Sequence, residues 1–175
     1  MPRSTRPHGL STIAVHGGSE RAPDGPTGNV PVVTPIYQSV NYHQEYGTGE
    51  GLRYPRYGNT LNADIVQRRL AQLEGAEAAL VLASGMGATA CALLALLRPG
   101  DHLLGSAWIY GGTHRLFTQE FASMGIEVTL VDPTETRTWR KQLRRETRAI
   151  FLESPVNPTC RVLDLRPVSL LTKES

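Results

Sequence analysis

The spacing of apolar residues predicts alternating helices and strands from about residue 59 onward. One predicted helix collects apolar residues on a single face, at Leu61, Ile65, Val66, Leu70 and Leu73, and ends at Gly75. Short apolar runs predict four strands, at residues 78–83, 102–105, 126–131 and 149–152. Further helices are predicted at residues 88–97, 113–123, 138–146 and from 164 to the end. Since these spacings suit right-handed crossovers, the pattern indicates an α/β fold with a mostly parallel sheet and flanking helices.

The first part of the chain follows a different pattern. Up to about Tyr57 its apolar residues show no sustained period, and Gly and Pro are frequent. Long irregular segments are uncommon in compact domains unless they are functional or pack on a partner. We therefore predict an irregular arm at residues 1–58 and an α/β domain at residues 59–175.

Composition narrows the classes of function. The chain has 175 residues, 40% hydrophobic and 19% charged, which is typical of a globular domain and unlike disordered, collagen-like or coiled-coil sequences. A net charge of +2 is too small to indicate a nucleic acid or an anionic membrane as partner. No segment is typical of a secretion signal or a transmembrane helix, so we expect a cytoplasmic protein. The two cysteines and five histidines show no metal-ligand spacing, and no metal is predicted.

Two segments at predicted strand ends could carry chemistry, because ligands of parallel sheets bind beyond the carboxyl ends of the strands. Residues 84–87, Ser-Gly-Met-Gly, join a predicted strand to a helix. The free N–H groups of that helix could hold a phosphate, or the glycines could simply form a tight turn. Tyr110, followed by Gly111 and Gly112, could stack on a flat heterocycle or could be a core tyrosine beside a turn.

Two more segments have both a functional and a purely structural interpretation. Residues 53–57, Arg-Tyr-Pro-Arg-Tyr, combine guanidinium and phenol groups that suit a phosphate ester, but a solvated arm explains them nearly as well. Residues 153–158, Glu-Ser-Pro-Val-Asn-Pro, end a predicted strand and present Asn157 between two prolines. Asn157 could contact a ligand or form a turn before the next helix.

Taken together and in this order, the motifs resemble the Cys/Met metabolism (transsulfuration) family of pyridoxal-phosphate (PLP) enzymes, which includes cystathionine γ-synthases and cystathionine β-lyases. The matching segments are residues 33–39, 54–56, 73–77, 84–86, 99–102, 110–113 and 153–158. The resemblance implies a fold type I PLP-dependent transferase that ends before its sheet and C-terminal domain are complete. It also implies elimination or replacement at Cβ or Cγ of sulfur amino acids such as cystathionine or O-acylhomoserine.

The same resemblance implies how PLP would be bound. Backbone N–H groups of Gly85 and Met86, with Ser84 beside them, would hold the phosphate. Tyr54 and Arg56 would reach the phosphate from a neighbouring subunit, which implies a homo-oligomer whose subunits exchange their arms. The implied substrate is a small amino acid.

The implied ring site rests on two further residues. Tyr110 would stack on the pyridine ring and is a candidate for proton transfer, while Asn157 would lie near the ring hydroxyl. Family members have a Schiff-base lysine in a later segment. Lys141 lies in a charged helix typical of a solvated face, and the segment before Lys173 is one residue too long for the family motif.

We therefore predict an N-terminal portion of a PLP-dependent lyase or transferase that is inactive alone, because its Schiff-base lysine is absent. An alternative hypothesis is a non-catalytic remnant that binds a phosphate ligand or associates with a full-length homologue. A third is an unrelated α/β binding domain.

Overall fold

The computed structural model describes residues 9–17, 33–43, 47 and 52–171. The chain divides into two units, Met1–Val81 and Leu82–Ser175, and each is described by itself. Within the described residues, no helix is both long and apolar enough to cross a membrane.

The first unit contains two helices and a short 3-10 turn. These elements are α1 (Leu10–His16), the turn Pro55–Tyr57 and α2 (Leu61–Glu74). Helix α2 begins where the Thr60 hydroxyl accepts a hydrogen bond from the N–H of Ala63 at 3.2 Å. It ends, as predicted, at Gly75, whose φ of 63° is the left-handed conformation that glycine adopts most easily. Helix α1 lies in the stretch predicted to be irregular. It was not predicted because seven residues are too few for a helical period to be recognised.

The second unit is a parallel sheet between two layers of helices. Its strands are β1 (His102–Ser106), β2 (Glu127–Val131) and β3 (Thr147–Phe151), in the spatial order β2-β1-β3, and both pairings are parallel. Its helices are α3 (Gly85–Leu96), α4 (Gly111–Arg115), α5 (Thr136–Gln142) and α6 (Arg166–Leu171). Helix α4 continues through wider π-helical turns over Leu116–Phe121. The predicted α/β architecture is confirmed.

The central strand β1 is buried along its whole length and separates two apolar clusters. Leu103 faces the cluster formed with the helices before β2, and the next residue, Leu104, faces the cluster that contains Trp139 of α5. Gly105 allows close packing on the first side, because an added Cβ would lie 2.9 Å from the Leu130 side chain. Because both strand pairings are parallel, the carboxyl ends of the three strands lie at one edge of the sheet. The two apolar clusters hold them there.

The prediction of a strand at residues 78–83 is wrong. Within the described residues the sheet has three strands, and this segment pairs with none of them. The N–H of Val81 donates instead to the side-chain oxygen of Gln67 at 3.2 Å, and Leu80 is 70% exposed. An apolar run identifies a segment that can be buried, but ladder hydrogen bonds to a neighbour are needed to make it a strand.

Several helix ends also differ from their predicted positions. Helix α3 begins at Gly85, three residues earlier than predicted, because Ser84 caps it. Helix α5 ends at Gln142 rather than 146, since Leu143 is extended and leads into β3. Helix α6 begins at Arg166 rather than 164, because the Asp164 carboxylate accepts the N–H of Arg166 at 3.1 Å.

Candidate functional site

Three segments of the second unit meet through side chains near the carboxyl ends of β1 and β3. The N–H of Tyr110, after β1, donates to Oε2 of Glu153, after β3, at 3.0 Å. The Thr113 hydroxyl lies 3.5 Å from Oε1 of Glu153 and 3.7 Å from the sulfur of Met86, in the first turn of α3. The structure thus brings residues of three motifs into one site.

The N-terminus of α3 is the part of this site suited to an anion. Ser84 Oγ accepts the N–H of Gly87 at 3.0 Å, and the Ser84 carbonyl accepts the N–H of Ala88 at 3.0 Å. Within the described residues, the N–H groups of Gly85 and Met86 have no hydrogen-bond acceptor, as expected for a first helical turn. No atom outside the adjoining backbone lies within 4 Å of where a Cβ of Gly85 would be, so a ligand can approach the backbone there.

Tyr110 lies beside this helix terminus. A Cβ added to Gly112 would meet the Tyr110 ring at 2.6 Å and the Met86 sulfur at 3.1 Å, so the ring and the sulfur both lie against Gly112. Tyr110 is 48% exposed. A substantial part of the residue is therefore open to solvent and available for stacking on a ligand.

Tyr54 and Arg56 lie together in the first unit. Arg56 Nη1 donates to the Tyr54 hydroxyl at 2.6 Å, and the Arg56 residue is exposed. Arg53, in contrast, uses its guanidinium for an ion pair with Asp64 at 2.6 Å and a hydrogen bond to the Asn59 carbonyl at 2.7 Å. Of these two arginines, Arg56 is the one whose guanidinium has no carboxylate partner among the described residues.

Asn157 is not joined to Tyr110 or Met86 by a hydrogen bond within the described part of the chain. It is exposed, in a turn that follows Val156, and Val156 and Arg161 form an antiparallel bridge across that turn. The turn is anchored further along by Ser154 Oγ, which accepts the N–H of Leu163 at 3.0 Å.

Of the two lysines, Lys141 does not lie at the site. Lys141 is exposed near the C-terminus of α5, which returns the chain from the carboxyl end of β2 to the amino end of β3. It therefore lies toward the sheet edge opposite Tyr110. Lys173 lies outside the described residues.

Two further residues of the site could not be assigned a role from the sequence. Glu153 belongs to a recognised motif and Thr113 follows the glycines after Tyr110, but their contact spans 40 positions of the chain. A carboxylate directly after the apolar strand predicted at residues 149–152 was the available signal for Glu153. The buried position of Thr113, 2% exposed, follows only from the packing of α4.

Comparison with known proteins identifies the family of this chain. Residues 11–175 match the model of the Cys/Met metabolism PLP-dependent enzymes. The chain belongs to this family. Among its relatives, the O-acetyl-L-homoserine sulfhydrylase of Leptospira meyeri is 37% identical over 99% of this chain and 40% of its own length. The probable cystathionine gamma-synthase of Herpetosiphon aurantiacus is 37% identical over 95% of this chain and 50% of its own length.

Solved structures of the family have the same fold. MetB of Corynebacterium glutamicum superposes with a TM-score of 0.85 at 32% identity, over 96% of this chain and 43% of that protein. The putative O-acetylhomoserine (thiol)-lyase of Campylobacter jejuni also gives 0.85, at 29% identity over 96% of this chain and 42% of that protein. The latter was solved with N'-pyridoxyl-lysine-5'-monophosphate.

These findings confirm the predicted family, fold class and cofactor: this is a PLP-dependent family, and the chain has its α/β fold. The chain spans half or less of the length of these relatives, as predicted for a partial sequence. The individual site residues and the division at residue 58 remain predictions.

Proposed function

We propose that this chain forms the phosphate-binding and ring-stacking part of a PLP-dependent transsulfuration enzyme. The observation that carries the proposal is the N-terminus of α3. There two N–H groups without an acceptor among the described residues, and an open glycine, lie beside an exposed tyrosine ring. A helix N-terminus favours an anion both by its free donors and by its dipole.

The residues present fit the cofactor. The N–H groups of Gly85 and Met86 would hold the phosphate, and Ser84 Oγ, which accepts from Gly87, keeps its own hydrogen for donation. Tyr110 would stack on the pyridine ring and hold or pass a proton at its phenol oxygen, and Asn157 would lie near the ring hydroxyl. When bound, PLP supplies an electron sink for charge that develops on the amino-acid substrate.

The reaction proposed for the longer protein is elimination or replacement at Cβ or Cγ of a sulfur amino acid. Support comes from the names of relatives, which include an O-acetyl-L-homoserine sulfhydrylase, a cystathionine gamma-synthase and a cystathionine beta-lyase. We also propose a cytoplasmic homo-oligomer in which the arm carries Tyr54 and Arg56 to the phosphate of a neighbouring subunit. The exposed guanidinium of Arg56, already oriented by the Tyr54 hydroxyl, supports this role.

We propose that the 175-residue chain is inactive alone, because Lys141 is remote from this site and the segment before Lys173 departs from the family's lysine motif. Lys141 lies toward the opposite sheet edge, which also favours the second candidate function, a non-catalytic remnant that binds a phosphate ligand or a full-length homologue. The test is borohydride reduction of the chain with PLP, followed by peptide mass spectrometry and an assay with O-acetyl-L-homoserine. Stoichiometric labelling of Lys141 or Lys173, or turnover, would contradict the proposed inactivity.

The phosphate site itself is tested with pyridoxine 5'-phosphate, which has the ring and phosphate of the cofactor but no aldehyde to react with lysines. Equilibrium dialysis should show saturable binding of this compound and much weaker binding of pyridoxine. Gly85→Ala should weaken binding at least about tenfold, because its methyl group would occupy the space left for the phosphate. Thermal stability should be retained, since beyond the two neighbouring residues and the backbone of α3 itself this methyl group meets no atom within 4 Å.

Gly9→Ala is the matched control for this experiment. Gly9 also lies at a helix N-terminus, and no atom beyond its chain neighbours lies within 4 Å of an added Cβ, but the helix that it precedes is α1. The control should leave affinity unchanged. Equal affinity in the wild type and Gly85→Ala, or no phosphate preference at all, would overturn the proposed site.

A further inference from the structure

Glu153 and Thr113 have no role in the proposed function, yet they join all three segments of the site. The Glu153 carboxylate accepts from two groups of the α4 region, the N–H of Tyr110 at 3.0 Å and the hydroxyl of Thr113 at 3.5 Å. Thr113 in turn lies 3.7 Å from the Met86 sulfur. These contacts are the direct polar links between the Tyr110 segment, the end of β3 and the first turn of α3 within the described residues.

We infer that Glu153 and Thr113 are positioning residues that hold the Tyr110 ring at a fixed place relative to the N-terminus of α3. The predicted effect on ligand affinity rests on the proposed function. The predicted restraint on the position of Tyr110 does not.

The physical need for such residues follows from the exposure of Tyr110. With 48% of the residue open to solvent, packing alone fixes its position only in part, and the two glycines that follow it restrict the backbone weakly. A hydrogen bond from its own N–H to a carboxylate is charge-assisted and therefore stronger than one to a neutral acceptor. Glu153 lies two residues after the end of β3, and the intervening Leu152 and the last strand residue Phe151 pack against the two apolar clusters. This bond therefore ties Tyr110 to the sheet.

Thr113 extends the same restraint to α3. Its side chain is buried, and its single hydroxyl hydrogen can be shared between the Glu153 oxygen and the Met86 sulfur. The sulfur is a weak acceptor, so the carboxylate is the stronger partner. Thr113 thus couples the position of α4 to the turn whose N–H groups face the proposed phosphate.

The test compares Glu153→Ala and Glu153→Gln with a matched control, Glu135→Gln. Glu135 also accepts a hydrogen bond from a threonine hydroxyl, Thr138 at 3.0 Å, at the start of a different helix, α5. The first readout needs no ligand: hydrogen exchange of the Tyr110 amide, followed by NMR in the chain alone. Exchange should be at least about tenfold faster in Glu153→Ala, the factor that corresponds to losing a hydrogen bond to a charged acceptor. Glu153→Gln, which keeps an uncharged acceptor, should give a smaller increase, and Glu135→Gln should give none.

The second readout is the affinity for pyridoxine 5'-phosphate by equilibrium dialysis. Glu153→Ala and Thr113→Val should bind this compound about tenfold more weakly than wild type. Thr113→Ser, which restores the hydroxyl, should recover most of the affinity, whereas a role in core packing alone would not be rescued by the smaller side chain. If Glu153→Ala fails to fold, Glu153→Gln and the threonine pair still decide the question.

The outcomes separate this inference from the proposed function. If Tyr110 exchange responds to Glu153 but the wild type does not bind pyridoxine 5'-phosphate, the positioning role stands and the proposed cofactor site is wrong. If Tyr110 exchange is the same in wild type and in folded Glu153 variants, the positioning role is wrong whatever the affinity. Equal losses of affinity in Glu153→Gln and Glu135→Gln would overturn it as well.

Discussion

Arg53 and Arg56 lie three positions apart in one motif, but their guanidinium groups have different surroundings. Arg53 Nη1 contacts both Asp64 Oδ2 and the Asn59 carbonyl, and the two charged side chains are 31% and 23% exposed. Arg56 contacts the Tyr54 hydroxyl and lies on the surface. At the scale of single residues, the first arginine stabilises the first unit and the second remains available for a ligand.

Substitution should separate these two roles. Arg53→Met should lower the free energy of unfolding by about 1–2 kcal/mol, because it removes two charge-assisted bonds and leaves a half-buried carboxylate unpaired. Arg56→Met should change it by less than about 0.5 kcal/mol, as is usual at exposed positions. Under conditions where the chain is oligomeric, Arg56→Met should instead weaken binding of pyridoxine 5'-phosphate.

Urea unfolding and equilibrium dialysis measure the two quantities on the same samples. Equal losses of stability in both variants would contradict the assignment. The family resemblance already indicated Arg56 rather than Arg53 for the phosphate, but the structural role of Arg53 could not be derived from the sequence. It depends on Asp64, which α2 brings to the loop from eleven positions away.

At the scale of elements, the amino edge of the sheet is held by one buried histidine. His102 of β1 is 1% exposed, and its ring nitrogens lie 2.8 Å from the Thr147 hydroxyl of β3 and 2.9 Å from the Thr129 hydroxyl of β2. Arg144 contacts both hydroxyls, through its backbone N–H at 2.8 Å and its guanidinium at 3.2 Å. This network joins all three strands at the edge opposite Tyr110.

Burial lowers the pKa of His102 below its ordinary 6.5, and the positive charge of Arg144 acts in the same direction. Glu127 and Glu146 oppose that shift more weakly. With a lower pKa in the folded state, the unfolded chain binds the proton first as pH falls. Stability should therefore be fully present above pH 6.5 and decrease as pH falls toward the lowered pKa, by at most about 1.4 kcal/mol per pH unit from this group.

The measurement is urea unfolding at several values between pH 8 and pH 5. His102→Gln, which cannot be protonated, should be less stable at pH 8 but should show a shallower dependence over this range. The pKa values of Asp132 and Asp164 are held below their ordinary 3.8 by hydrogen bonds from Thr134 and Arg166 respectively, so their contribution is lost only in more acidic solution. An identical slope in wild type and His102→Gln would show that His102 is not the group responsible.

The elements also show what sequence patterns can and cannot predict here. Helix α2 was predictable because it has both a helical period and a stop signal, and β1 because its apolar run is short and bounded by turn residues. Residues 78–83 have the same apolar character as β1 but form no ladder, since pairing depends on distant segments. The start of α3 was predicted too late because its first residues include two glycines, poor helix formers whose effect the Ser84 cap offsets. The site was predictable as motifs, but the links made by Glu153 and Thr113 required the fold.

At the scale of the whole molecule, the second unit exposes an unusually apolar helix. Residues 85–96 contain no charged side chain, yet Leu94 and Leu96 are 37% and 62% exposed. A helix that is apolar on all sides is typical of a buried position. The 175-residue chain on its own therefore presents to water a surface suited to an apolar neighbour.

We expect this surface to make the isolated chain self-associate as its concentration rises. Sedimentation velocity measures the apparent mass that reports this association. Leu96→Lys should shift the distribution toward monomer, because a charge on the exposed face of α3 would have to be desolvated in the contact. Met124→Lys is the matched control: Met124 is 44% exposed but lies in a turn between Ser123 and Gly125 rather than on α3. A wild-type chain that stays monomeric at high concentration, or an equal effect of the two lysines, would show that the exposed face of α3 does not drive association.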